Sequence, residues 1–319
     1  MRDIYIAECV PEGGLYHYKM DAEGIVTFCE KTEIMSPMYM AKQNGKMFVL
    51  ENKWEDGNSG LSVYAIGEDG ALGAKLSEAS TRGVCACHLC VTETETVYAV
   101  NYVSGSVVKI PGDLVVHAGE CGPAKPRQDV PHTHYVNVTP DGKYFLVTDL
   151  GLDTIFVYDK DLNKISETKA PAGAGPRHLI FSEDGKTCFC GNELDSTVSA
   201  YDYQDGELMP VDTVSILPEG FTEQNTAAAI RWHDGLIYAS NRGHNSIACL
   251  SYEHRKLRVK SITDCGGKGP RDFDIFGDIL ICTNENSNNV NFFKVKGEAL
   301  YKLSQELSLK GALCVISGA

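Results

Sequence analysis

The sequence has no long apolar run. None of its hydrophobic segments approaches the roughly 18 residues that a membrane-spanning helix requires, and Asp3 and Glu8 interrupt the apolar stretch nearest the amino terminus. No linker or low-complexity tract divides the 319 residues. We therefore expect a soluble, cytoplasmic protein with no membrane partner, folded as one domain over residues 1–319.

Positive charge is also scarce. The chain has 29 Lys and Arg residues against 43 Asp and Glu residues, which gives a formal net charge of −14. Because the phosphate backbone of a nucleic acid selects basic surfaces, this balance argues against a nucleic-acid partner. A small anionic ligand is still compatible with the composition, provided that the few cations are concentrated in one place.

Cysteines with the spacing of metal ligands are absent as well. Most of the 12 cysteines stand singly in apolar runs, where a reduced thiol behaves as a small apolar side chain. The one cluster contains Cys85, Cys87, His88 and Cys90. A strand would turn its members to opposite faces, so that four ligands would not converge. We expect neither a metal nor another cofactor.

What the sequence does contain is a repeat. Polar corner residues recur at intervals of 43 to 49 positions, at Asn52, Asn101, Asp149, Asn192, Asn241 and Asn284. The runs between them alternate apolar and polar residues, as at 135–138, and are rich in Val, Ile, Tyr and Phe. Because this interval is typical of a four-stranded propeller blade, the sequence predicts an all-β, seven-bladed β-propeller.

The first repeat lacks its first strand. Residues 4–7 and 14–18 correspond to the second and third runs of the other repeats, whereas residues 312–316 form a spare strand at the end of the chain. Pairing of these amino-terminal and carboxy-terminal strands would close the ring and remove its open edges. The six other blades are predicted to begin near residues 38, 84, 132, 176, 226 and 270.

The antiparallel path of each blade predicts where the polar residues gather. With strands A to D counted outward from the axis, the D-to-A connections and the B-to-C corners must lie on the same rim. Five of the nine histidines and three arginines map to this rim. The mapped residues are Glu51, His88, His132, His134, Arg177, His178, Glu193, Arg242, His244, Arg271 and Asn284. Such a mouth would bind a small anion, since guanidinium groups clamp carboxylate and phosphate.

Several motifs then carry a resemblance to a known family. Residues 127–134 and 175–178, the Asn-Glu pair at 192–193, and residues 240–244 and 269–273 are similar, in order, to the seven-bladed propeller lactonases typified by 6-phosphogluconolactonase. A related branch contains carboxy-muconate cycloisomerases. The resemblance implies a propeller that hydrolyses a lactone, with a His, an Arg and a Glu in its site. Residues 7–10 and 227–230 depart from the family pattern.

The matched site residues are His134, Arg177 and Glu193. Lactone hydrolysis needs a base for water, a donor for the oxyanion and a proton for the leaving alkoxide. We expect Arg177 to stabilise the oxyanion, whereas either His134 or Glu193 could activate the water. The residues expected to bind substrate are Glu51, His88, His132, Arg242, His244, Arg271 and Asn284.

Three functions are compatible with the sequence. The first is a lactonase for 6-phosphogluconolactone in the pentose phosphate pathway, with Arg242 and Arg271 holding the phosphate. The second is a lactonase or cycloisomerase for a substrate without phosphate, and the third is a non-catalytic binding platform. Structural roles are also open: Arg177 and Arg271 could tie blades together, Asn284 could form a turn, and His178 could pack on the strand face opposite Arg177. Oligomeric state is not predicted.

Overall fold

The described part of the chain is built from 28 β-strands. The computed structural model describes residues 1–52 and 57–317, so residues 53–56 and 318–319 of the predicted domain lie outside it. The strands form seven four-stranded antiparallel sheets, and no helix occurs among the described residues. Hence none of these residues belongs to a helix that could cross a membrane. The predicted all-β, seven-bladed propeller is confirmed.

The two ends of the described chain share one blade, here called blade 7. Its amino-terminal strands are β1 (Arg2–Glu8), β2 (Gly14–Met20) and β3 (Val26–Glu33), and its innermost strand is β28 (Ala312–Ser317). Strands β28 and β1 are antiparallel, with Val315 opposite Ile6. The predicted closure is therefore confirmed, and it gives β1 a hydrogen-bonded strand on both sides.

The other six blades follow in chain order, each written from strand A outward. Blades 1 to 3 are β4 (Pro37–Gln43), β5 (Lys46–Glu51), β6 (Gly60–Ile66) and β7 (Leu72–Ser80); β8 (Ala86–Val91), β9 (Val97–Asn101), β10 (Ser106–Ile110) and β11 (Leu114–Val116); and β12 (Thr133–Val138), β13 (Phe145–Asp149), β14 (Thr154–Tyr158) and β15 (Lys164–Lys169). Blades 4 to 6 are β16 (Pro176–Phe181), β17 (Thr187–Asn192), β18 (Thr197–Gln204) and β19 (Glu207–Ser215); β20 (Thr226–His233), β21 (Leu236–Arg242), β22 (Ser246–Glu253) and β23 (Lys256–Asp264); and β24 (Pro270–Phe276), β25 (Ile279–Asn284), β26 (Asn289–Lys296) and β27 (Ala299–Ser308).

The hydrophobic core lies between neighbouring blades. Between blades 6 and 7, for example, Ile4, Ile6 and Val315 pack with Ile281 and Phe292, all fully buried. Alternation along each strand sends successive side chains to the two faces of the sheet, and each face is covered by an adjacent blade. Burial of one such side chain contributes about 1.5–3 kcal/mol, so each interface stabilises the ring.

Asparagines at the B-to-C corner form hydrogen bonds that join neighbouring segments of a blade. Asn101 donates hydrogen bonds to the Thr81 carbonyl at 3.1 Å and to Ser106 Oγ at 3.0 Å. Asn241 makes the equivalent bonds in blade 5, to the carbonyl of Ile216 and to Ser246 Oγ. In blades 2 and 5 these side chains fasten the incoming D-to-A connection to its blade, whereas Asn192 of blade 4 bonds Thr197 and Ser199 in the strand that follows it.

Each strand A has a β-bulge at the same end. The register shifts between the residues on either side of Met38, Cys87, His134, Arg177, the pair Ala228–Ala229, Arg271 and Leu313. A bulge leaves its extra residue out of the ladder and re-aims its side chain. All these bulges lie on the rim of the D-to-A connections and B-to-C corners, which we call the mouth.

Candidate active site

The bulges bring the site together. Six of the bulged residues line one small cavity on the axis at the mouth: Met38, Cys87, His134, Arg177, Arg271 and Leu313. They come from six different strands A, so residues far apart in sequence become neighbours around the axis. His134 and Arg177 are thus placed by the same local backbone feature, repeated in blades 3 and 4.

A single carboxylate organises the arginines. Glu193 follows β17 at the corner of blade 4 and is buried. Arg177 donates from Nε to its Oε2 at 2.9 Å, and Nη2 of Arg242 lies 3.0 Å from the same oxygen. Arg127 donates from Nη2 to Oε1 at 2.6 Å. Both carboxylate oxygens are therefore occupied, and we call Glu193 with these three arginines the Arg/Glu cluster.

The charges of the cluster hold Glu193 ionised. Burial alone would raise the pKa of this carboxyl, but the guanidinium groups of Arg242, Arg177 and Arg127 hold it well below its usual range. Burial lowers the pKa of Arg177 to about 9, a shift to which the charges of Arg271 and Arg242 add. Arg177 therefore still carries its charge at neutral pH. With three cations around one anion, the cluster has an excess of positive charge and is suited to bind a further anion.

His134 lies beside the cluster as a neutral imidazole. Its Nε2 is 4.0 Å from Glu193 Oε2, and its Nδ1 is 3.9 Å from Sγ of Cys87. Burial, followed by the charge of Arg177, holds the pKa of His134 well below its usual range. A neutral imidazole can accept a proton, so His134 is available as a base at neutral pH.

The space between His134 and Arg177 has the size of a water molecule. The cavity that both residues line measures about 20 Å³, just above the volume that one water needs. Arg177 uses Nε for Glu193 and Nη1 for the carbonyl of Ala228 at 2.8 Å. Over residues 1–52 and 57–317, its Nη2 has no hydrogen-bond partner, so Arg177 keeps one unused charged donor.

Arg127 was not among the predicted site residues. It lies in the connection 117–132, the D-to-A connection that enters blade 3. The neighbouring Gln128 is fully buried and donates to the Leu150 carbonyl at 2.8 Å and to Asp153 Oδ1 at 2.6 Å. These bonds hold the loop at the mouth, so that Arg127 reaches Glu193 and the hydroxyl of Tyr102. The signal in the sequence was an arginine in an unusually long connection on the predicted rim.

A buried triad secures the start of the same loop. His117 Nδ1 lies 2.8 Å from Asp149 Oδ2, and the Tyr158 hydroxyl lies 3.0 Å from His117 Nε2. The other carboxylate oxygen of Asp149 accepts hydrogen bonds from the backbone amides of His132 and Leu152. All polar atoms of this triad serve the loop and the blade 3 corner, and its role is structural.

Arg271 and His132 lie at the mouth but outside the Arg/Glu cluster. Arg271 lines the axial cavity, and its Nη1 is 3.6 Å from Glu285 Oε2. The His132 ring stacks on Tyr102 with centroids 4.3 Å apart, and Nδ1 donates to the Tyr102 carbonyl at 2.9 Å. His132 therefore supports the tyrosine that contacts Arg127 and has no contact with the cluster itself.

Two histidines lie deeper than the sequence suggested. His88 is sandwiched between Tyr39 and Tyr135, with both ring distances 4.3 Å, and it lines the channel beyond the axial cavity. His178 was expected on the strand face opposite Arg177, but its Nε2 is 3.2 Å from Arg177 Nη1. The bulge breaks the alternation and turns both side chains toward the axis. Burial holds the pKa of both histidines well below the usual range.

Three predicted substrate-binding residues point away from the axis. Glu51 faces Ser62 and Lys75 of its own blade, and burial raises its pKa. His244 contacts the ring edge of Phe221 and places Nδ1 2.8 Å from Ser246 Oγ. The Asn284 amide packs under the incoming loop, where a Cβ on Gly267 would lie 2.6 Å from it. All three occupy the expected rim, but their side chains are directed into the blade.

The cysteines of the described chain are free thiols, including Cys85, Cys87 and Cys90. Within residues 1–52 and 57–317, no group of three or more His, Cys, Asp or Glu side chains has an arrangement that could hold a metal ion. The Cys87 thiol lies in the axial cavity, and burial raises its pKa far above the usual value. The thiol is therefore neutral at physiological pH and forms part of the cavity lining.

Known proteins share this architecture over their whole length. The structure of the periplasmic gluconolactonase of Pseudomonas aeruginosa superposes with a TM-score of 0.91 at 23% identity, covering 100% of this chain and 99% of that one. A Bacteroides fragilis protein, provisionally assigned as a 6-phosphogluconolactonase, gives a TM-score of 0.89 at 24% identity, covering 100% and 98%. At these identities the similarity shows the fold.

The similarity also extends to sequence. An uncharacterized protein of Staphylococcus aureus strain USA300 is 31% identical over 280 residues, which cover 81% of each chain. The family model described as a seven-bladed β-propeller lactonase matches residues 3–317. This match covers nearly the whole chain, and the seven four-stranded sheets of the closed ring agree with it. The protein belongs to the seven-bladed β-propeller lactonase family.

Proposed function

We propose that this protein hydrolyses a sugar lactone, with 6-phosphogluconolactone as its substrate. The observation that carries the proposal is that His134, a neutral imidazole, and Arg177, which keeps its Nη2 donor unused, line the same cavity of about 20 Å³. A base, a charged donor and room for one water are the parts that lactone opening requires. The P. aeruginosa gluconolactonase and the B. fragilis protein share the fold and support this substrate class.

The first step is the attack of water on the lactone carbonyl. His134 accepts a proton from water at Nε2 while the water oxygen bonds to the carbonyl carbon. The carbonyl oxygen becomes an oxyanion, which Arg177 Nη2 stabilises by a charge-assisted hydrogen bond. Glu193 lies 4.0 Å from His134 Nε2 and stabilises the imidazolium that forms.

The second step opens the ring. The tetrahedral intermediate re-forms the carbonyl and breaks the bond to the ring oxygen, and the imidazolium of His134 donates its proton to that leaving oxygen. The product is a hydroxy acid, which leaves as the carboxylate. Glu193 is the weaker candidate for the base because guanidinium groups occupy both its oxygens and favour its ionised form.

The test offers the purified protein 6-phosphogluconolactone, gluconolactone and a carboxy-muconate. Hydrolysis of either lactone is followed by proton release, whereas cycloisomerisation of the muconate takes up a proton and is followed by loss of the ultraviolet absorbance of its conjugated double bonds. Lactones of this type open unaided, so the rate without protein is subtracted. We expect turnover of the phosphorylated lactone above that blank rate. Turnover of the muconate alone would replace hydrolysis with cycloisomerisation, and no turnover of any of the three would favour a binding platform.

A further inference from the structure

A second cavity opens on the mouth between blades 5 and 6. Its volume is about 370 Å³, far more than the axial cavity of about 20 Å³. The connection before β20 and the corner after β21 form one wall, with Gln224 and Arg242. The connection before β24 and the corner after β25 form the other, with Lys268, Glu285 and Asn286. We call this space the blade 5/6 pocket.

The pocket adjoins the candidate active site. Arg242 belongs to its wall and also places Nη2 3.0 Å from Glu193 Oε2. Glu285 belongs to the opposite wall and lies 3.6 Å from Arg271, which lines the axial cavity. A molecule seated at His134 and Arg177 could therefore extend past Arg242 into the pocket without leaving the mouth.

Some polar side chains of the pocket are committed to the fold. Asn225 accepts from the backbone amide of His244 at 2.9 Å and donates to Ser196 Oγ and to Asn241 Oδ1. Asn245 accepts from the backbone amide of Gly269 at 2.9 Å. These two residues set the shape of the pocket, and they have little remaining capacity for a ligand.

Three other side chains of the blade 5/6 pocket are available to a ligand. In the part of the chain that the structure describes, Gln224, Lys268 and Asn286 form no side-chain hydrogen bond or ion pair, and all three are exposed on the pocket wall. Together they offer an ammonium group and two amide groups that can donate hydrogen bonds. Such a set suits a tetrahedral anion with several acceptor oxygens.

The arginines expected to hold a phosphate are differently placed. The Nη2 of Arg242 is shared between Glu193 and the carbonyl of Ala227 at 2.9 Å. Arg271 faces the axial cavity and Glu285. Lys268 is the cation of the pocket that has no carboxylate partner among residues 1–52 and 57–317. The phosphate-binding cation is therefore better sought at Lys268.

We propose that the blade 5/6 pocket binds the phosphate monoester end of the lactone, with Lys268 as its ionic partner and Gln224 and Asn286 as hydrogen-bond donors. The inference rests on the proposed function, because it takes the lactone carbonyl to lie at Arg177. It adds a phosphate site on blades 5 and 6 that distinguishes phosphorylated from unphosphorylated lactones.

The experiment compares the wild-type protein with Lys268→Gln and with Gln224→Glu, which adds a negative charge to the same wall. Lys310→Gln is the matched control, because Lys310 is exposed on a D-to-A connection of the same rim but lines neither cavity. A charge-assisted hydrogen bond contributes about 1.5–3 kcal/mol, so each pocket variant should lose roughly 10- to 100-fold in kcat/KM for 6-phosphogluconolactone. Lys310→Gln should leave the turnover of both lactones unchanged, and each pocket variant should lose much less for gluconolactone, which has no phosphate, than for 6-phosphogluconolactone. Equal losses for the two lactones would overturn the phosphate site.

A binding measurement separates this inference from the proposed function. Calorimetry with 6-phosphogluconate and gluconate requires no turnover, and the wild-type protein should prefer the phosphorylated acid. Loss of this preference in Lys268→Gln but not in Lys310→Gln supports phosphate binding in the blade 5/6 pocket. This holds even if the protein hydrolyses neither lactone. Equal binding of both acids by the wild type, or an unchanged preference in Lys268→Gln, would overturn it.

Discussion

Arg177 Nε lies 2.9 Å from Glu193 Oε2, and both residues are nearly inaccessible to solvent. This pair joins the bulge of strand A to the corner that follows strand B. The same Glu193 oxygen meets Arg242 of the next blade. The site is thus held by electrostatics across a blade interface, and its members depend on one another.

The first prediction concerns this pair. Arg177→Ala removes the proposed oxyanion donor, and the loss of one such donor costs roughly 10²- to 10³-fold in kcat. Glu193→Gln should be comparably severe because three arginines lose their anion. Stopped-flow proton release with 6-phosphogluconolactone measures both. Arg258→Ala, on the exposed outer strand of blade 5, is the control and should retain the wild-type rate. Near wild-type rates in both site variants would contradict the roles proposed for Arg177 and Glu193.

The second prediction concerns pH and Arg127. Since the pKa values of His134 and Glu193 are both held well below their usual ranges, kcat/KM should show no inflection near pH 6.5, the ordinary value for histidine. Arg127→Gln removes a cation from Glu193 Oε1 and should raise the pKa of that carboxyl, which moves the acid limb of the profile upward. Arg255→Gln, an exposed residue paired with Asp202, is the control. Identical acid limbs in the wild type, Arg127→Gln and Arg255→Gln would contradict the role of Arg127 in keeping Glu193 ionised.

The third prediction concerns stability in acid. Burial holds the pKa values of His88, His134 and His178 well below the usual range, so they stay neutral in the folded protein. In the unfolded chain they bind protons below about pH 6.5, and stability therefore decreases as the pH falls through that value. Each histidine contributes a slope of about 1.4 kcal/mol per pH unit.

Urea unfolding between pH 7.5 and 5.5 measures this slope. His178→Gln removes one of the three groups and should make the slope shallower by about a third. His254→Gln changes an exposed residue and leaves the three buried imidazoles in place. A slope that is the same in the wild type and in His178→Gln would show that these imidazoles do not govern acid stability.

The fourth prediction concerns ring closure. Ile6 is fully buried and lies opposite Val315 where β1 meets β28. Ile6→Ala should lower the free energy of unfolding by about 2–5 kcal/mol, the usual cost of removing a buried aliphatic side chain. Ile25→Ala, at a site with 47% exposure, should change it by less than about 0.5 kcal/mol. Equal thermal unfolding temperatures for the two variants would refute this account of closure.

The fifth prediction concerns metal removal. The proposed reaction uses the Arg177 guanidinium for the charge that develops on the carbonyl oxygen, and none of its steps uses a metal ion. Extended dialysis against EDTA should therefore leave kcat for the lactone unchanged. A loss of rate that zinc or magnesium restores would require a different mechanism.

The fold was predictable because its signals are local and repeated. Alternating runs, turns and polar corners recur at the interval of a blade, and the missing first strand of the first repeat predicted its partner at residues 312–316. Chain direction then predicted the rim that His134, Arg177 and Glu193 share. These inferences need only strand polarity and pairing, which the hydrophobic pattern encodes.

The side-chain directions were less predictable. Strict alternation placed His178 opposite Arg177, whereas a bulge turns both toward the axis. A bulge depends on how seven strands meet at the axis, and no residue type in the sequence predicts it. Arg127 was missed because its position depends on a loop fold that buried partners such as Gln128 and His117 determine.

The bulged end of strand A has one further consequence. Met38 and Leu313 stand at the same height around the axis as His134, Arg177 and Arg271, but they are apolar. Exchanging either of them would place a new functional group in the axial cavity, beside His134 and Arg177. The repeated bulge thus lets each of six blades change the lining of the axial cavity separately from the other five.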